Sequence, residues 1–263
     1  MTTETLKQPN LDLPDRIPSM SILDHLGELR VRLIKCLIAI TVCFFIAYTF
    51  REPILNFLKS PLLKVLPTDQ QYLHYTGLLD ELLTALKLSF YAAVAFAMPI
   101  ILFQLWQFIT PGLKPKEKKF LGPFLLFTIG AFIGGMAFAY YIVFPFGFKF
   151  LLKYAATDRP ILTITNYFSL TTKVLLVFGA IFELPMIFSF LGWLGVLRAE
   201  TLRKHRKYAI LTIAIASAVI TPTQDAFTMG AMALLMWILY EGSILLVSLV
   251  QRWTGAGDKG VIN

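Results

Sequence analysis

Apolar residues along this chain gather in six long runs separated by short polar breaks, at about 33–50, 82–108, 120–144, 174–197, 208–220 and 226–250. Runs of this kind predict helices that cross a bilayer, where about 20 predominantly apolar residues suffice. The fifth run is the exception. Its apolar part, 209–220, spans about 18 Å as a helix, against a hydrocarbon core of about 30 Å. The hairpin of helices five and six is therefore expected to be short, or the bilayer to thin beside it. Its tip, Thr221-Pro222-Thr223-Gln224-Asp225, would be a polar turn set deep beside lipid. Pro99 and Pro185 are expected to kink their helices, a disturbance that membrane bundles tolerate. Gly130, Gly134 and Gly135 offer a face of small residues for close helix approach.

Ahead of the first run, residues 21–33 (SILDHLGELRVRL) have a different pattern. Ser21 with Asp24 three residues later is a capping-box-like start. Ile22, Leu26, Leu29 and Leu33 recur at helical spacing, opposite a polar side with His25, Glu28, Arg30 and Arg32. This predicts a short helix lying on the membrane before the first span. Residues 1–20 contain three prolines, balanced charge and no periodicity, which predicts a disordered tail. The expected organisation is a tail over 1–20, one six-helix membrane domain over 21–250, and a C-terminal tail over 251–263.

Composition agrees with the pattern. Hydrophobic residues are 57% and charged residues 15% of the chain, well below the roughly 25% charged residues of soluble domains. The net charge of +8 is explained by loops and does not imply nucleic acid. The N-terminal segment has Arg30, Arg32 and Lys35. Lys114, Lys116, Lys118 and Lys119 fill the second loop, and Arg198, Arg203, Lys204, Arg206 and Lys207 the fourth. The odd loops are poorer in basic residues near the span ends, so both termini are expected in the cytoplasm. The two long connections, about 51–81 and 145–173, then face outward, and apolar pieces such as Pro61-Leu62-Leu63 predict packed outer structure there. Cys36 and Cys43 share one helix face seven residues apart, which is neither a metal motif nor a feasible disulfide.

Candidate chemistry lies in a few polar positions. In 103–119 (FQLWQFITPGLKPKEKK) an aromatic belt of Phe103, Trp106 and Phe108 leads into the lysine loop, where Glu117 is the one acid. Glu117 is either a charge-balancing surface residue or a carboxylate held at the membrane surface to receive a cation. Glu28 is either half of an i,i+4 pair with Arg32 or a site residue. Glu183 is the one ionisable group of its run. An acid at that depth costs at least about 2.5 kcal/mol to insert when charged, so it either faces a functional cavity or stays protonated and hydrogen-bonded within the bundle. Glu241, late in segment six, is a structural partner or a site residue.

Taken together these motifs resemble the TatC family, the multispanning subunit of the twin-arginine protein translocase. The resemblance runs from about residue 20 to 250. It rests on HLGELRVRL at 25–33, PLLKVLP at 61–67, FQLWQFITPGLKPKEKK at 103–119, FAYYIVFP at 138–145, FGAIFELP at 178–185, LRKHRKY at 202–208, TPTQDAF at 221–227 and LYEGS at 239–243. It implies an all-α integral membrane protein with six kinked spans in a concave bundle, and a non-enzymatic receptor for folded cargo bearing twin-arginine signal peptides. Glu28 and Glu117, with Arg30 and Phe108 beside them, match the residues tied to signal recognition. A planar guanidinium pairs bidentately with a carboxylate where lysine cannot, which fits that assignment.

The resemblance further implies that Glu183 is the family's membrane-embedded acid and that Thr221 and Asp225 mark the docking site of the single-span partners TatA and TatB. It implies self-association in a larger complex, a bacterial inner-membrane location and export driven by the proton motive force, with no cofactor and no metal. The tip departs from the family pattern by one extra residue before Asp225, and Met229 and Leu235 replace a frequent Gln and a frequent Pro. Two rivals differ in class. A proton-coupled small-solute transporter would use Glu183, but no internal repeat supports it. An intramembrane protease would need a base in a span, yet His25, His74 and His205 all fall outside the apolar runs.

Overall fold

The computed structural model describes residues 22–66, 73–75, 77–109, 121–154, 163–221 and 226–254. Regular structure among them is helical, apart from one isolated backbone pairing in which the Ile164 N–H donates to the His74 carbonyl at 3.1 Å.

Helix α1 (Ile22–Thr49) is a single unbroken helix of 28 residues, about 42 Å long. The predicted surface helix over 21–33 is therefore the start of the first span. No proline interrupts it. Leu26, Leu29 and Leu33 are exposed on the outer face of α1, where acyl chains can cover them, while Glu28 and Arg32 turn inward to the helix Asp80–Ile109.

A bend at Phe50 leads into α2 (Arg51–Leu63), the packed outer structure anticipated from Pro61-Leu62-Leu63; Leu58, Pro61 and Leu62 are buried. Pro61 has no N–H, so the Phe57 carbonyl four residues earlier loses its helical donor. The Tyr140 hydroxyl supplies the missing bond at 2.7 Å, with its ring stacked on Phe57 at 4.3 Å and 1°. The Tyr167 hydroxyl donates to the next carbonyl, Leu58, at 2.6 Å. Two tyrosines from distant helices thus hold α2 by its backbone.

Helix α3 (Asp80–Ile109), 30 residues with Pro99 inside, is the central rod, about 45 Å long. Helices α1, α4 (Leu121–Phe138) and α6 (Ile164–Phe182) all pack on it, and the small side chains of Ala93 and Ala97, both fully buried, permit that. Helix α4 (Leu121–Phe138) runs through a π-helical turn (Ala139–Val143) into α5 (Phe144–Tyr154). The third apolar run thus continues ten residues beyond its predicted end. Where α4 crosses α6, Gly135 rather than Gly130 or Gly134 makes the close approach: a Cβ there would lie 2.6 Å from the Phe178 carbonyl. Gly179 reciprocates beneath the Phe132 ring.

Helix α6 (Ile164–Phe182) starts ten residues before the predicted 174, because Thr165, Asn166, Ser169, Thr171 and Thr172 dilute an amphipathic turn whose Tyr167 and Phe168 are buried. It breaks at Glu183, and Pro185 starts α7 (Leu184–Trp193). A Schellman motif ends α7: Gly195 has φ +75°, Val196 N–H donates to Leu191 and Gly195 N–H to Gly192, the geometry that glycine favours.

The chain closes with α8 (Ala199–Lys204), α9 (Arg206–Ile220) and α10 (Ala226–Thr254). Helix α8 is tied to α10 by the Tyr240 hydroxyl, 2.9 Å from the Leu202 carbonyl, and the turn before it by Gln251 Nε2, 2.9 Å from the Leu197 carbonyl.

Five stretches are long and apolar enough to cross a membrane among the described residues: Asp24–Thr49, Asp80–Ile109, Gly122–Phe150, Ile164–Trp193 and Thr228–Arg252. Helix α9, with 15 residues, reaches about 22 Å, so length alone singles out five crossings, and a sixth at α9 needs a thinner bilayer beside it. Only segment five is short. Segment six is a 29-residue helix, since Gln251 and Arg252 extend it past the apolar run, which corrects the expectation of two short helices.

Candidate functional site

The first turns of α1 lie against the last turns of α3, and most of the predicted recognition residues that are described meet at this joint. Glu28 and Arg32 are one helical turn apart, and pair as i,i+4 geometry allows. Arg32 Nε donates to Glu28 Oε1 at 3.0 Å and Nη2 donates to the same oxygen. Arg32 Nη1 crosses to α3 and donates to Gln107 Oε1 at 2.7 Å and Gln104 Oε1 at 3.3 Å. The arginine side chain is 14% exposed and that of Glu28 21%, so this pair is sheltered from water and screened less than a surface pair. Glu28 Oε2 is buried and accepts no hydrogen bond among the described residues.

One turn before Glu28, the His25 ring stacks on Phe108 at 4.2 Å and 16°, forming an aromatic shelf beside the carboxylate. Arg30 is exposed, two residues from Glu28 and so on another side of α1. Glu117 lies outside the described residues. Trp106 is not part of an interfacial belt. It is 4% exposed and edge-on to Phe124 and Phe190, at 4.7 Å and 4.4 Å, in a core shared by α3, α4 and α7.

Gln104 and Gln107 were missed as site residues. Two amides at i,i+3 within an otherwise apolar helix end were the available signal, since that spacing places both on one face.

The other candidates are dispersed. Glu183 sits at the break between α6 and α7, 5% exposed, and both carboxyl oxygens are buried with no hydrogen-bond partner among the described residues. Its backbone carbonyl accepts from Ile187 N–H at 2.9 Å. Glu241 Oε2 accepts from Arg206 Nη2 at 2.6 Å, joining the start of α9 to α10. That pair is 46% and 31% exposed, so it contributes under about 1 kcal/mol. Thr221 ends α9, its hydroxyl donating to the Ser217 carbonyl. Asp225 lies outside the described residues.

A bundle of long apolar helices with carboxylates at a helix joint and within a span defines the class: a multispanning α-helical membrane protein. The family model of the Sec-independent protein translocase protein TatC matches residues 24–234. The chain is 40% identical over 223 residues to the Sec-independent protein translocase protein TatC of Desulforapulum autotrophicum, covering 84% of this chain and 82% of that one. It is 34% identical over 221 residues to the Escherichia coli K12 protein of the same name, covering 84% and 85%. A crystal structure of the twin-arginine translocase receptor TatC superposes with a TM-score of 0.78 at 36% identity, over 87% of this chain and all of that one. The chain belongs to the TatC family, and its role is in Sec-independent protein transport.

Proposed function

We propose that this chain is the receptor subunit of the twin-arginine translocase, and that it binds the arginine pair of signal peptides at the joint of α1 and α3. The observation that carries the reading is the Glu28 carboxylate. It is held rigidly beside the His25–Phe108 shelf, with one oxygen saturated by Arg32 and the other without a partner among the described residues. Such an acceptor matches a guanidinium from the cargo. Glu117 supplies the second carboxylate, Phe108 packs against the peptide, and exposed Arg30 flanks the site.

In this reading residues 21–250 form one domain of the bacterial inner membrane, with both termini and residues 109–119 in the cytoplasm. Thr221 and Asp225 receive TatA and TatB, copies of the chain associate in a larger complex, and export is driven by the proton motive force. The role is binding and assembly rather than catalysis. Crosslinking of a twin-arginine signal peptide tests it. Glu28→Gln and Glu117→Gln are each expected to weaken crosslinking several-fold, by loss of a charge-assisted hydrogen bond, with the protein still in the membrane. Unchanged crosslinking in the double variant would refute the reading.

A further inference from the structure

We propose that Arg32 is the positioning residue of the recognition site, and that it makes the site selective for arginine over lysine. The inference rests on the receptor role of Glu28 given above and deepens it.

All three guanidinium nitrogens of Arg32 are committed. Nε and Nη2 converge on Glu28 Oε1, and Nη1 is held by Gln107 at 2.7 Å and Gln104 at 3.3 Å. The two glutamine carbonyls anchor the guanidinium plane to α3, and the plane in turn fixes the rotation of the Glu28 carboxylate. The consequence is asymmetric. Oε1 is saturated by two donors, whereas Oε2, buried and without a partner among the described residues, keeps its acceptor sites.

A cation that displaces the cover of Oε2 therefore meets one oxygen at a set angle and not a freely turning carboxylate. A guanidinium can direct two N–H groups of its rigid plane onto a single oxygen, as Arg32 itself does to Oε1. A lysine ammonium is a compact point charge without that fork. Arg32 is no loosely held stand-in for the cargo's arginine, to be displaced on binding, because two hydrogen bonds to α3 retain it and its side chain is 14% exposed. Arg32→Lys keeps the charge but cannot reach one carboxylate oxygen with two donors and two amides at once, so Glu28 regains rotation.

The experiment uses the full chain in lipid nanodiscs and fluorescence anisotropy with two peptides, one carrying an Arg-Arg pair and one Lys-Lys. The wild type is expected to prefer Arg-Arg. Arg32→Lys is expected to cut that preference about tenfold, the value of one charge-assisted hydrogen bond, mainly by weakening the Arg-Arg peptide. Gln107→Leu is expected to act in the same direction by less, and it carries the test if Arg32→Lys fails to fold. In a Glu28→Gln background Arg32→Lys is expected to change nothing further, since Arg32 acts through Glu28.

Loss of preference in Glu28→Gln, with full preference retained in Arg32→Lys and Gln107→Leu, overturns this inference and leaves the receptor role standing. An equal loss for both peptides in Arg32→Lys also overturns it, since that marks a merely structural role. Absence of any preference in the wild type overturns both.

Discussion

At the scale of single residues the two membrane acids differ in what surrounds them. Glu241 has a cation at 2.6 Å and partial exposure, which makes it a strut between α9 and α10. Glu183 has neither, being 5% exposed with both oxygens unbonded among the described residues. A permanently charged acid is the costlier state at such a position, so polarity rather than charge is the expected contribution of Glu183. Glu183→Gln is expected to keep much of the transport of a folded reporter and Glu183→Leu little, at equal protein levels. Failure of both would point to charge, and full transport by Glu183→Leu would show that the residue has no role. The lone acid was legible in the sequence because nothing else in that run ionises. The surroundings of Glu28 were only half legible: its partner Arg32 follows from i,i+4 spacing, but the acceptors of Arg32, Gln104 and Gln107, are 72 and 75 residues from it, and only the helix crossing shows that they meet.

At the scale of elements, hydropathy identified the spans but misjudged their ends. Hydroxyl and amide side chains between 164 and 173 lowered the apolar signal where α6 had already begun, and charged residues at 28–32 concealed that the helix expected over 21–33 runs unbroken into the first span. Both errors have one cause: polar side chains turned into a bundle cost a helix nothing when the neighbouring helix bonds or packs against them, and a single strand of sequence does not display the neighbour. The π-helical turn and the tyrosine bonds to α2 were invisible for the same reason. They are testable as a unit. Tyr140→Phe leaves the Phe57 carbonyl without a donor and is expected to cost about 1–3 kcal/mol, measured by reversible unfolding in detergent. Pro61→Ala restores the helical N–H, so the same Tyr140→Phe change is expected to cost clearly less in that background. Equal costs in the two backgrounds would show that the hydroxyl does not compensate for the proline.

At the scale of the whole molecule, the run of apolar segments gave the class, and the loop charges predict both termini and the 109–119 connection in the cytoplasm. On a background with Cys36 and Cys43 replaced, a cysteine at position 116 is expected to react with an impermeant maleimide only when the inner face is opened. Labelling from outside in intact cells would reverse the topology. The aromatic trio at the foot of α3 has an optical consequence of its own. Trp106 is walled by Phe124 and Phe190 away from water, on the same helix end that carries Gln104, Gln107 and Phe108. With Trp193, Trp237 and Trp253 changed to phenylalanine, its emission becomes the only indole signal of the chain. The protein then contains a built-in fluorophore whose wavelength and quenching follow any shift of α3 against α4 and α7, so occupancy of the joint can be followed in an intact membrane without an added dye.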